Sequence, residues 1–237
     1  MTQPPPVPRQ SLPPARPRLR RIAWATGLAL ALAGIAPAFA SQLQEHRYTI
    51  LREGSEVGQH EVRRERVGGE TRVRSSSRID VSLLGLALYR FRYDAQEVWD
   101  QTGLARLEVR VDDDGEAFRL AGERSGQGFT WTSDAGTGRH PLPLFPTNHW
   151  NAEVLKQGQV LNTLTGGLNR VTIAQAGSET LDLPGGQVRA QRYRYSGDLD
   201  LDAWYDDRGQ WLGMRFKGSD GSQIRYLCST CAGSARP

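Results

Sequence analysis

From Arg47 onward the apolar residues of this chain recur at every second position, and that regularity confines it to strands. Along Arg72 to Leu83 one face reads Val73, Ser75, Ser77, Ile79, Val81 and Leu83. Tyr89, Phe91 and Tyr93 then alternate with Arg90, Arg92 and Asp94, and Leu104 to Val111 repeats the pattern. Such runs are half-buried strands, apolar inward and charged outward. Gly68-Gly69, Asp114-Gly115, Arg208-Gly209 and Asp220-Gly221 lie between runs and supply the positive φ of tight turns. The spacing predicts a mainly β, antiparallel curved sheet or partly open β-barrel of about a dozen strands. In the second half the expected strands are 159–165, 168–176, 179–183, 187–196, 201–205, 210–216 and 222–228.

One segment breaks the alternation. Pro141 to Pro146 is a rigid, extended run, and in Thr147 to Leu155 the residues Trp150, Val154 and Leu155 fall at helical spacing. The reading is one short helix with Thr147 as its cap.

The first 40 residues are of another kind. They hold five arginines and no acid, and the Ile22–Phe39 stretch is apolar or small before ending in Ala38-Phe39-Ala40. A basic region, a short apolar core and an A-x-A end make a signal peptide, with cleavage expected after Ala40. The rival reading is a retained anchor, for which 18 residues interrupted by Gly27, Gly34 and Pro37 are short. Residues 1–40 are thus a leader and 41–237 a single periplasmic β domain, with no transmembrane span after cleavage. The net charge of +4 belongs to the leader. The remainder is near neutral, its bases interleaved with acids, which argues against nucleic acid as a partner.

Glu179-Thr-Leu-Asp-Leu-Pro-Gly-Gly-Gln-Val-Arg-Ala190, Trp204-Tyr-Asp-Asp-Arg-Gly-Gln-Trp211, Phe216 and Asp220-Gly-Ser222 resemble a group of exported proteins of Gram-negative bacteria. His149-Trp-Asn151 and Leu161-Asn-Thr-Leu-Thr-Gly166 share the likeness, which covers essentially the whole chain after the leader. Those proteins are catalogued only as domains of unknown function. The resemblance implies a periplasmic antiparallel β domain, similar in outline to open-barrel carriers of lipids and lipoproteins, and transfers no catalytic residue.

Cys228-Ser-Thr-Cys231 holds the only cysteines. Without a second pair or a following helix it is neither a zinc half-site nor a thioredoxin-type centre by pattern, and in an oxidising compartment it reads as a small structural disulfide. Asp198-Leu-Asp-Leu-Asp202 begins like a calcium loop but has Ala203 where glycine belongs and Gly209 where glutamate belongs. Its Asp face is expected to meet Arg192 and Arg194. His46, His60, His140 and His149 are too scattered to spell a metal motif, and no cofactor motif occurs.

The candidate ligand-binding residues are His149, Trp150 and Asn151 beside the Pro-rich run, with Asn162, Thr163, Thr165, Asn169 and Trp131. They suit a concave sheet face that takes a lipid or an amphipathic small molecule. Two alternatives stand beside that reading: a hydrolase-type enzyme using His149 with Asn151, and an envelope-assembly protein that docks a partner through a sheet edge or through the apolar run Val81 to Leu88. That run is expected to be buried.

Overall fold

The computed structural model describes residues 42–83 and 86–231. The leader, its cleavage point after Ala40 and the tail beyond Cys231 lie outside the described residues, as do Leu84 and Gly85 within the apolar run. No helix among the described residues is long and apolar enough to cross a membrane.

Fourteen antiparallel strands follow one another: β1 (Gln42–Arg52), β2 (Ser55–Val67), β3 (Glu70–Leu83), β4 (Leu86–Asp100), β5 (Gly103–Asp113), β6 (Glu116–Ser125), β7 (Gly128–Ser133), β8 (Gly136–Pro141), β9 (Gln159–Leu161), β10 (Leu168–Leu183), β11 (Gly186–Gly197), β12 (Leu201–Tyr205), β13 (Trp211–Lys217) and β14 (Gln223–Cys228). All belong to one curved sheet in the order β8-β7-β6-β5-β4-β3-β2-β1-β14-β13-β12-β11-β10-β9. The sheet is two meanders zipped together where β1 meets β14, from Tyr48 opposite Cys228 to Arg52 opposite Ile224. The first and last strands in this order are β8 and β9.

The connection between those strands is the Pro-rich segment, which lies along β9. Leu161 N–H donates to Phe145 C=O at 2.8 Å and Thr147 N–H to Leu161 C=O at 2.9 Å, so β9 offers less open ladder to another chain. Two side-chain bonds cross the seam: His140 Nε2 lies 3.1 Å from Gln159 Oε1, and Trp131 Nε1 donates to Gly166 C=O at 2.8 Å.

Three local expectations need correction. The strand expected over 159–165 stops at Leu161, because Asn162 to Gly166 close a turn. The predicted helix is a 3-10 helix over Ala152–Lys156, capped by Asn151, whose side chain accepts from Glu153 N–H. Thr147 lies ahead of the cap position, and its hydroxyl instead accepts from Thr163 N–H at 3.2 Å and sits 3.0 Å from Thr163 Oγ1. β10 runs unbroken across the predicted gap, with Gly177 (φ 117°) taken up where the register shifts between Gln175 and Ser178.

The period of two decides what faces inward. Register places Cys228, Tyr48, His60, Ser77, Tyr93 and Val111 side by side on consecutive strands. A second row reads Arg64, Val73, Glu97, Leu107, Gly122, Trp131 and Gly138. Trp211, Tyr48, Tyr195, Tyr205 and Phe129 are fully buried, so large rings supply much of the apolar burial. β12 is buried on both faces: Trp204, on its outward side, donates from Nε1 to Glu179 at 2.7 Å and carries the Arg215 guanidinium over its ring. The expected Asp–Arg meeting is present, with Asp202 3.7 Å from Arg192, 3.8 Å from Arg194 and 2.6 Å from Arg215.

Candidate functional site

Polar side chains collect where the segment after Pro146 lies against the inward rows. Glu97 projects from β4 with 2% of its surface exposed, between Val73 and Leu107 of the neighbouring strands. Its carboxylate accepts from Trp99 Nε1 at 2.7 Å, Asn148 Nδ2 at 2.6 Å and Trp150 Nε1 at 3.1 Å. These donors favour the charged form, yet burial outweighs them and lifts Glu97 to about 7. The Tyr93 hydroxyl donates to Asn148 Oδ1 at 2.8 Å and lies 3.1 Å from Thr163 Oγ1. Arg64 lies over the Trp150 ring, 5.9 Å from its centroid.

A second cluster is aromatic. His149 packs between Trp211 and Tyr195, each 5.6 Å away between ring centres, and its backbone carbonyl accepts from the Tyr205 hydroxyl at 2.9 Å. His60 lies against the same Trp211 with Nδ1 2.7 Å from Ser77 Oγ. Desolvation pushes His60 down to about 3 and His149 to about 4, so both rings are neutral at neutral pH. The His149 Nδ1 atom is buried and without a hydrogen-bond partner.

The residues singled out from sequence therefore divide. His149, Trp150 and Thr163 join the buried networks. Asn151 caps the 3-10 helix, Asn162 accepts from Leu164 and Thr165 N–H at 2.9 and 3.2 Å, and Thr165 accepts from Gly167 N–H, so these three hold turns. Asn169 keeps a buried, unpartnered Oδ1. Trp131 pins the Gly166 turn. The Asn151 side-chain oxygen accepts from Glu153 N–H, while the partners of the His149 ring are aromatic.

Sequence reasoning missed Glu97, Tyr93, Asn148 and His60. Extending the alternation of Tyr89, Phe91 and Tyr93 would have put Glu97 on the inward face, where a carboxylate is conspicuous.

The buried rings and aliphatic side chains of the inward face form one continuous apolar cluster. Two open depressions of about 460 and 490 Å³ are lined mostly by residues that alternate outward, such as Arg106, Glu108 and Glu123 in the first and Arg63, Arg74 and Arg78 in the second. The apolar run is not buried as expected: Leu86 is 70% and Leu88 56% exposed.

Among solved structures the chain is similar to the crystal structure of a β-barrel-like protein of the domain of unknown function DUF1849 from Brucella abortus. The TM-score is 0.53 at 11% sequence identity, over 78% of this chain and 94% of that one, a likeness of fold. Comparison with curated proteins gives no match. The profile of the domain of unknown function DUF6134 matches residues 48–229. With that match spanning most of its length, the chain belongs to the DUF6134 family.

Proposed function

We propose that this protein is an exported, periplasmic β domain that docks a protein of the cell envelope through the tip of the β3–β4 hairpin. The observation that carries the reading is the exposure of Leu86 and Leu88 on a ribbon that outruns its neighbours. Pairing of β3 with β2 ends at Ile79, and pairing of β4 with β5 begins at Phe91. Residues 80–83 and 86–89 therefore project as two strands that pair only with each other, over about 13 Å at strand rise. Evenly exposed leucines at such a tip are an apolar patch awaiting cover.

The surroundings say which cover suits it. Because the strands alternate in direction, the turns β1–β2, β5–β6 and β7–β8 fall at the same end as the ribbon. They expose Glu53, Asp113, Asp114, Glu116 and Asp134. The ribbon's own Arg92 and Arg90 are already paired with Asp80 and Asp112. Exposed acids beside an apolar tip, interspersed with Arg119 and Lys217 at the same end, suit a protein socket that offers Lys and Arg opposite the acids better than an anionic bilayer. Export rests on the leader's charge and its Ala38-Phe39-Ala40 end.

The test is retention of envelope proteins on the immobilised 41–237 chain. A partner whose binding is lost with Leu86→Asp/Leu88→Asp, weakened by Asp113→Lys/Asp114→Lys and weakened by salt supports the proposal. Binding indifferent to both variants, or binding to anionic vesicles in place of any protein, overturns it. Amino-terminal sequencing of cell-derived protein tests export: a start at Ser41 is expected, and a start at Met1 sinks that part.

A further inference from the structure

The four histidines spell no metal motif along the chain, but the fold brings one of them to the cysteine pair. His46 Nδ1 lies 3.6 Å from Cys231 Sγ, across 185 positions of sequence. One ligand atom from each of His46, Cys228 and Cys231 falls within 4.8 Å of the other two. We propose that, when the Cys228–Cys231 disulfide is reduced, these three residues form a binding site for a thiolate-preferring divalent cation of the zinc type.

The placement follows from the ladder. Tyr48 faces Cys228 across the β1–β14 pairing, and His46, two residues back along β1, shares its face. Cys231 is returned to that face by a turn that β1 holds itself. Arg47 C=O accepts from Ser229 N–H at 2.7 Å, and Arg47 N–H donates to Thr230 Oγ1 at 3.0 Å. The turn is thus anchored by bonds that do not involve the sulfur bridge, and opening the bridge leaves the three donors gathered. A tetrahedral zinc with bonds of about 2.3 Å to sulfur and 2.0–2.1 Å to nitrogen separates sulfur from nitrogen by about 3.6 Å and sulfur from sulfur by about 3.8 Å, and the first is the spacing His46 and Cys231 already have. The two sulfurs need only part from each other. Cys228 is buried, while His46 and Cys231 are half-buried, which leaves the fourth position to water.

The chemistry balances with a dithiol as reductant. The protein disulfide and the dithiol exchange to give two protein thiols and an oxidised dithiol. The cation then binds both sulfurs as thiolates, with the imidazole as a neutral donor, and two protons are released. In the oxidised form the sulfurs are bonded to each other and no such site exists.

Cobalt(II) is the probe, added to the 41–237 chain before and after reduction by a phosphine. The expected result is one cobalt per reduced chain, with sulfur-to-cobalt charge transfer in the near ultraviolet and tetrahedral d–d bands, both removed by zinc. The oxidised chain shows neither. Cys231→Ser abolishes the charge-transfer band, and His46→Gln weakens cobalt binding about tenfold or more. Thermal melts of both variants establish that they fold, and histidine NMR of the reduced wild type on adding zinc gives a second readout, a shift confined to His46. Reduced wild type without thiolate–cobalt absorption, affinity unchanged in His46→Gln, or an unmoved His46 signal overturns the assignment.

Discussion

Glu97 and Asn148 are 51 positions apart in the chain and 2.6 Å apart in the fold, joined by a hydrogen bond from the amide to a buried carboxylate. Asn148 is held in that orientation by Tyr93, which engages its other end. The bond ties the Pro-rich connection to the sheet at the centre of the concave face, with Trp99 and Trp150 donating to the same group. A buried carboxyl surrounded by donors gives the domain a defined response to acid.

The sign of that response is set by Glu97 against His60 and His149, and burial lowers His46 as well, which acts in the same direction as the other two histidines. Glu97 has its folded pKa raised from 4.5 to about 7, so its stabilising effect is complete below 4.5 and is lost as pH rises through 7. His60 and His149, lowered from 6.5 to about 3 and about 4, act oppositely, and their burial becomes unfavourable as pH falls below 6.5. Each group changes stability by about 1.4 kcal/mol per pH unit inside its window. Between pH 6.5 and 4.5 these two histidines against one glutamate give a loss of about 1.4 kcal/mol per unit, to which His46 adds near the top of the range. Glu97→Gln removes the opposing group and should steepen the loss to about twice that, whatever its absolute stability. Urea unfolding at several pH values measures both slopes, and equal slopes would show that Glu97 does not titrate in this range.

Trp131 depends on a glycine beside it. A Cβ at Gly138 would lie 2.2 Å from Trp131 Cζ2, inside a buried ring with nowhere to retreat. Gly138→Ala should destabilise by about 1–3 kcal/mol through overpacking and shift the Trp131 fluorescence as its bond to Gly166 is disturbed. Gly158→Ala, where no atom lies within 4 Å, is the control and should stay within about 0.5 kcal/mol.

Reduction of the cysteine pair is expected to leave the fold intact. The closed loop spans a sequence separation of only 3, for which loop entropy gives about 2 kcal/mol, and the Ser229 and Thr230 bonds to Arg47 persist. Calorimetry with and without a phosphine should show Tm lower by about 4–8 °C. Loss of cooperative unfolding on reduction would contradict this.

How much of this could be read in advance depended on whether the information was local. Asp112 Oδ1 accepting from Gly115 N–H is a four-residue event, and Asp114-Gly115 announces it. The alternation of Tyr89 to Tyr93 likewise gives a strand without reference to anything distant. Pairing of β1 with β14 is a meeting of the two ends, and no periodicity contains it. The same holds for His46 beside Cys231. Thr147 misled because its helix-capping chemistry is also hydroxyl chemistry, and Thr163 on a neighbouring turn engages it instead. The Leu86 and Leu88 side chains were expected inside because hydropathy alone says so; the ladder ends that expose them are a property of neighbouring strand lengths.

The carboxylates that face arginines on the outward side should differ sharply in weight. Asp202 is 3% exposed and is approached by Arg192, Arg194 and Arg215, whereas the Asp200 side chain, paired with Arg194 alone, is 75% exposed. Removing a buried partner leaves its counterions desolvated, which costs about 3–5 kcal/mol when all are buried. Here the arginines are 35–46% exposed, so water relieves part of the loss, and Asp202→Ala should destabilise by about 2–3 kcal/mol. Asp200→Ala should change stability by less than about 0.5 kcal/mol. Chemical denaturation of both variants tests the contrast. Equal effects would mean that the register of β12 between β11 and β13 does not depend on Asp202, although that carboxylate is the one acid contacting arginines of both neighbours.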